Sequence, residues 1–340
     1  MSDSLFVRVA SREVTDVKPV WMMRQAGRYL PEYQELRAHF KDFLSFVSNP
    51  MAAAEATLQP VRRFSLDAAI LFSDILVTLP YMGFDLDFAI GKGPVIKNPM
   101  RSYSDVKLLS RVNFEKDLLY TKEALKKVKE SLPSDTALLG FVGGPLTIAS
   151  YAIEGGTSKD LSLTKALYYK DPSTYEAFLL KVADITGEYL AKQAEWGATA
   201  LVVMDSWAGN LSKEDYAFMA RPYTQKVLSI VRQKTDAPVI YYANGAQHLI
   251  DDFTLLGFDV IGLDHRSDLA SVFEKHPETV FQGNLDPAIL FASPEVVKER
   301  ARIILDKVKN RAHIMNLGHG VLPLTPVANV QAFVDAVRGL

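Results

Sequence analysis

Cysteine is missing from all 340 residues. Its absence excludes disulfides, thiolate-held metal and a cysteine nucleophile, and it fits a reducing compartment. Long apolar runs are lacking too. The longest candidate, residues 68–80, is interrupted by Asp74 and is too short to span a bilayer. The amino terminus, MSDSLFVRVASREV, has no extended apolar core before a small-residue cleavage site, which argues against a signal peptide. Charge of one sign is not in excess. At a net charge of −2 nothing general draws the chain to nucleic acid or to an anionic membrane. No Gly-x-Gly-x-x-Gly follows the first apolar run, and the histidines are scattered without His-x-His or His-Glu-x-x-His spacing. A dinucleotide-binding sheet and a histidine metal site therefore lose their main signals. The expectation is a cytoplasmic protein that holds anions, if at all, by local clustering.

What is present is an alternation. Apolar or β-branched runs fall at residues 19–24, 68–76, 138–145, 199–206, 238–245, 259–264, 279–286 and 312–318. Between them lie amphipathic, capped stretches. Asn49-Pro50, a capping residue followed by proline at the first helical position, opens one of them. The longest others run over 107–131, 172–196, 211–234 and 293–309. Eight near-continuous apolar strands alternating with helices predict an α/β fold with a parallel sheet covered by helices. In a chain of this length they favour one closed (β/α)8 TIM-type barrel spanning residues 1–340. Residues 1–18 are expected as an N-terminal arm. Residues 81–109, rich in glycine, proline and lysine, are expected as an excursion after the second strand. GKGP at 91–94 lacks the spacing and the Ser/Thr of a phosphate loop and is expected as a plain turn.

A β/α barrel does its chemistry at the C-terminal ends of its strands. Those ends carry Arg24 leading to Arg28, Asp74, Gly143-Gly144 followed by Tyr151, Asp205-Ser206, Asn244, Asp264-His265-Arg266, Asn284 with Asp286, and Gly318-His319-Gly320. Arg24 and Arg28 on one loop form a fork for carboxylates or phosphates; the plainer alternative pairs them with Glu32 or Glu35. Asp74, flanked by Ile70, Leu71, Phe72, Ile75 and Leu76, is costly to bury unless it is paired or hydrogen-bonded. It is either a structural partner of an arginine or a carboxylate that awaits donors on a ligand. Ser206 lacks a nucleophile elbow and reads as a hydrogen-bonding group. The glycines around His319 suggest close backbone approach.

Taken in order, MRQAGRYLPEY, LFSDIL, GKGP, GFVGGPLT, YAIEGG, GLD, QGNLDP and NLGHG resemble the uroporphyrinogen decarboxylase family, from about residue 19 to the C-terminus. The resemblance implies a β/α barrel, a homodimer, and no metal or organic cofactor. It implies removal of carbon dioxide from four acetate side chains of uroporphyrinogen III to give coproporphyrinogen III, a step toward haem and chlorophyll. It also implies substrate contact by Arg24, Gln25, Ala26, Gly27, Arg28, Arg37, Asp74, Tyr151, Ser206 and His319. By the same resemblance Asp74 is expected as the central catalytic group, with Arg24 and Arg28 beside it. Three positions depart from the family pattern: Leu146 and Met204 replace aromatic residues, and His265-Arg266 replaces Trp-Thr.

The implied chemistry suits these residue types. Protonating a carbon of the pyrrole ring turns the ring into its own electron sink. A carboxylate facing the pyrrole N–H groups stabilises that cation, and fixed guanidiniums hold the acidic rim. Arg24 is one candidate proton donor, though a guanidinium is a poor acid; a substrate acid or a water held by Asp74 is the alternative.

Overall fold

The computed structural model describes residues 4–89 and 93–340. Its parallel sheet contains β1 (Ala68–Ile70), β4 (Ala137–Gly143), β5 (Ala200–Met204), β6 (Val239–Tyr242), β7 (Val260–Gly262), β8 (Val280–Leu285) and β9 (His313–Leu317), neighbours in that order. The remaining pair, β2 (Leu86–Ala89) and β3 (Gly93–Ile96), forms a separate antiparallel hairpin. The two edges of the seven-stranded sheet are joined through residues 19–23. Val20 bridges Met315 of β9 in parallel. On its other side, Val20 accepts from the Asp67 N–H at 3.0 Å and donates to Asp67 Oδ2 at 2.6 Å. This segment is the eighth stave, and it leaves the sheet no open edge.

Two layers of core follow from strand alternation. Trp21, Met23, Ile70, Leu139, Phe141, Val202, Ile240 and Ile314 fill the barrel interior. The other faces pack against the surrounding helices. Helix Leu5–Ala10 adds Phe6, Val9 and Ala10 to the interior cluster. It lies at the N-terminal end of the strands, where buried Lys18 Nζ donates to the carbonyls of Lys309 (3.2 Å) and Arg311 (2.9 Å) just before β9. The described part of the arm expected at 1–18, from residue 4 on, thus closes the barrel at the end opposite the strands' C-terminal ends.

Several boundaries differ from the sequence expectation. β1 stops at Ile70, before Asp74, because Asp74 Oδ1 accepts from Leu76 N–H at 2.8 Å and turns the chain out of the sheet. The stretch 107–131 is broken into Tyr103–Leu108, Phe114–Asp117 and Leu119–Ser131. The stretch 211–234 is split at Ala220, ahead of Pro222, into Lys213–Met219 and Arg221–Arg232. Of the GKGP sequence, Gly91 and Lys92 lie outside the described residues, and Gly93 with Pro94 opens β3. The excursion docks on the helix Pro145–Glu154: Ile96 and Met100 N–H groups donate to Gly155 and Ala152 carbonyls at 2.9 and 3.0 Å.

Candidate active site

The C-terminal strand ends surround a cavity of about 440 Å³ lined by Arg24, Asp74, Tyr151, Ser206, Trp207, Asn244 and His319, over a floor of Met23, Ile70, Phe141, Met204 and Tyr242. Phe88 and Pro94 of the hairpin and Phe72 form one wall. Behind that wall Phe72 packs against Phe46 (centroids 4.9 Å apart) and Tyr33 (5.4 Å), which stiffens the loop after β1. Phe72 N–H also donates to Thr57 Oγ1 at 2.8 Å, so helix Pro50–Phe64 holds that loop directly.

Asp74 is therefore held rather than mobile, yet it is not neutralised. One oxygen takes the Leu76 N–H; the other accepts no hydrogen bond from any described residue. No cation lies within ion-pair distance of it among the described residues. What it exposes faces the cavity, with apolar groups around it. Burial pushes its carboxyl up to about 6, with the Leu76 N–H and the Arg24 charge pulling the other way.

Arg24 closes the turn in which Gln25 N–H donates to the Met22 carbonyl at 3.1 Å. It does so in the left-handed region, φ 59°, at a conformational cost of about 1–2 kcal/mol for a residue with a side chain. Neighbours hold the turn: Met23 N–H donates to Asn316 Oδ1 at 3.2 Å, and Val321 N–H to the Met23 carbonyl at 2.9 Å. Gly320 completes the fit, since a Cβ there would strike the Cδ and Cγ of Arg24. Gly318 likewise admits the backbone of His265. These are the close approaches that the glycines around His319 suggested.

Neither Arg24 nor Arg28 forms an ion pair with a described residue, and Glu32 is engaged by Arg63 at 2.6 Å. The pairing of these arginines with Glu32, the plainer sequence reading, is not what the fold adopts. His319 Nδ1 accepts from the Gly320 N–H at 2.7 Å. A backbone N–H only donates, so the ring proton sits on Nε2, leaving His319 a neutral donor. Burial and the charges of Arg24, His265 and Arg266 push its pKa down to about 4. Burial, reinforced by the Asp74 charge, pushes the Tyr151 hydroxyl up to about 12, so it stays a protonated donor as well.

The remaining candidates are distributed differently. Ala26 lines the cavity. Gln25 is wholly buried behind it, its amide donating to the Ala68 carbonyl at 3.1 Å and accepting from Met22 N–H at 3.1 Å. Gly27 and Arg28 sit on the loop outside the lining, with Arg28 exposed. Arg37 also lies outside; it donates to the Phe40 carbonyl at 2.6 Å and covers the Phe46 ring at 5.9 Å. Asn284 and Asp286, noted at a strand end, hold backbone instead: Asn284 donates to the Asp264 and Ser267 carbonyls at 2.8 Å, and Asp286 caps Ala288 at 2.9 Å. Of the three departures, Met204 faces the cavity, Leu146 is buried in the outer core, and Arg266 stands at the rim on Asp264 (3.1 Å) and Asn244 (2.8 Å). The sequence reading missed Trp207, Tyr242 and Phe88 as residues lining the cavity. Position after Ser206 was a usable signal for Trp207, whereas nothing local marked Phe88, which arrives from the hairpin.

A family model described as Uroporphyrinogen decarboxylase (URO-D) matches residues 1–340. The chain belongs to the uroporphyrinogen decarboxylase family. The uroporphyrinogen decarboxylase of Chloroflexus aggregans (strain MD-66 / DSM 9485) is 43% identical over 338 residues, covering 98% of this chain and 94% of the relative. That of Prochlorococcus marinus (strain NATL2A) is 40% identical over 338 residues, covering 99% and 96%. Among solved structures, a methyltransferase from Methanosarcina mazei matches with TM-score 0.80 at 18% identity, covering 98% of this chain and 97% of that one. At that identity the likeness speaks for the fold alone, and it fits the TIM-type barrel described here. For a uroporphyrinogen decarboxylase family member the polar lining is coherent: one unpaired carboxylate, one unpaired guanidinium and neutral donors around an apolar floor. No helix among the described residues is long and apolar enough to cross a membrane.

Proposed function

We propose that the chain decarboxylates the four acetate side chains of uroporphyrinogen III to methyls, giving coproporphyrinogen III, without metal or organic cofactor. Family membership and relatives at about 40% identity over nearly the whole chain support it. The observation that carries the mechanism is Asp74: a carboxylate rigidly held in an apolar cavity with one oxygen unused. In this reading that oxygen accepts the pyrrole N–H groups. A proton adds to the α-carbon of the pyrrole, next to the ring carbon that bears the acetate, and the ring becomes cationic. The bond from the acetate methylene to its carboxylate then breaks, carbon dioxide leaves, and the electron pair flows into the ring. A second proton, on the methylene, completes the methyl as the first leaves the ring carbon and the aromatic pyrrole is restored. Asp74 opposes the ring's positive charge throughout, in a site where little water screens it. Arg24 anchors a substrate carboxylate inside the cavity, and Arg28 and Arg37 serve the acidic rim from outside it. Tyr151, Ser206 and His319 donate hydrogen bonds. The same reading takes residues 1–340 as one domain, acting as a homodimer in the cytoplasm without nucleic acid or membrane.

Anaerobic incubation with uroporphyrinogen, followed by separation of products by carboxyl number, tests the reaction; heptacarboxyl through tetracarboxyl products are expected. A chain that bound the substrate and left all eight carboxyls intact would instead be a tetrapyrrole binder. Replacing Arg28 with alanine should raise KM roughly tenfold, the loss of about one charge-assisted hydrogen bond, with kcat little changed. An unaltered KM would remove Arg28 from the rim.

The pH profile gives a sharper test. In the free enzyme the Asp74 carboxyl ionises near 6. The profile of kcat/KM should therefore fall as pH drops through about 6. His319, near 4, cannot produce that limb. Arg24 helps to hold the Asp74 carboxyl down, so Arg24→Gln should move the acid limb to higher pH. A limb that stayed in place would belong to another group.

A further inference from the structure

Behind Ser206 and Trp207 lies a fully buried carboxylate that the reaction does not touch. Asp205, at the end of β5, is 0% exposed. Its Oδ1 accepts from the N–H and hydroxyl of Thr147 at 3.1 and 2.7 Å, and its Oδ2 from the Tyr241 hydroxyl at 3.0 Å. No cation pairs with it among the described residues. Gly144 is required beside it, because a Cβ there would collide with the Asp205 carboxyl carbon. Thr147, also fully buried, passes the connection on: its hydroxyl donates to Asp205 and accepts from the Trp207 N–H at 3.1 Å.

One helical turn after Thr147, on the same face of the helix Pro145–Glu154, comes Tyr151. Its ring stacks on the Trp207 indole, with centroids 4.0 Å apart and planes 26° from parallel. The helix thus grips Trp207 twice, by backbone through Thr147 and by ring through Tyr151. The Tyr151 hydroxyl is close enough to Asp74 to feel its charge, and both residues line the cavity.

We infer that Thr147, anchored by Asp205, is a positioning residue: it sets the Tyr151–Trp207 pair so that the Tyr151 hydroxyl and the Ser206 loop meet the substrate beside Asp74. The inference rests on the decarboxylase reading and assigns a purpose to a buried network with no surface exposure. A hydroxyl at 147 is the necessary element, since it alone both donates to Asp205 and accepts from Trp207. The buried charge supplies the anchor, with Tyr241 holding its second oxygen.

The test uses two substitutions on the full-length protein. Thr147→Val keeps the volume and removes the hydroxyl, whereas Thr147→Ser keeps the hydroxyl. For Thr147→Val, kcat on uroporphyrinogen should fall by about ten- to a hundredfold, as for a small displacement of a positioned group, while KM changes by less than about twofold. The near-ultraviolet circular dichroism of the stacked Tyr–Trp pair should weaken in the same variant. Thr147→Ser should restore both readings. Native kcat and native dichroism in the valine variant would overturn the inference. So would a serine variant as impaired as the valine one, which would make methyl packing the agent. A native chain that left uroporphyrinogen untouched would fail at the proposed function instead. The dichroism comparison would then still decide whether the hydroxyl sets the ring pair.

Discussion

Asp74→Asn should bind uroporphyrinogen nearly as well as the native chain and lose about 10²- to 10³-fold in kcat, the scale for removing a preorganised electrostatic contact from a transition state. The amide keeps the shape, and its oxygen can still take the Leu76 N–H, so the loop should not move. What disappears is the negative charge opposite the pyrrole cation, which matters more as the ring is protonated than in the ground state. A companion effect runs the other way. The folded protein raises the Asp74 carboxyl from 3.8 to about 6. The fold therefore holds that proton more tightly than the unfolded chain does, and ionisation weakens the fold. The penalty is absent below 3.8, grows between 3.8 and about 6, and is complete above that window. Asp74→Asn should accordingly melt higher than the native protein at pH 8 and show little difference at pH 3.5. A variant that turned over normally, or that melted lower at pH 8, would make Asp74 a structural residue.

The second large effect is steric and acts from a distance in sequence. Gly320→Ala should lower kcat/KM by about ten- to a hundredfold without preventing folding. The new methyl would occupy the space of the Arg24 side chain, near its Cγ and Cδ. Those atoms belong to a flexible chain that can swing aside, so the damage falls on where the guanidinium points rather than on the barrel. A double-mutant cycle makes the claim specific. If Gly320→Ala acts through Arg24, adding it to Arg24→Ala should cost almost nothing more, because the obstructed side chain is already gone. Full additivity of the two losses would mean that Gly320 acts by another route, such as shifting the His319 backbone.

Several features could be read before the fold was known because they rest on local rules. Apolar runs alternating with capped amphipathic stretches specify β/α units. The strand-end rule then nominated Arg24, Asp74, Ser206 and His319, all of which line one cavity. Gln25 shows where local reading stops. It lies between Arg24 and Ala26 in the same motif, yet its amide is consumed by Ala68 and Met22. Neighbours on a tight turn face opposite ways, and only the closed barrel decides which way is inward. Phe88 makes the same point from the other direction. Phe88 reaches the wall because an inserted hairpin folds back on the helix Pro145–Glu154.

The chain's order of residues was sufficient to set the barrel class, the absence of thiol chemistry and the identity of the charged groups, since each follows from composition, periodicity or a motif within a few neighbours. Tertiary packing decided their state. It left Asp74 with one oxygen empty, gave Glu32 to Arg63 and so freed the arginine loop from it, and tied the Asp205 carboxylate to Thr147 and Tyr241. Those outcomes depend on distances between residues far apart in the chain, and on how much water the surrounding walls exclude. Neither quantity is carried by any short stretch of sequence.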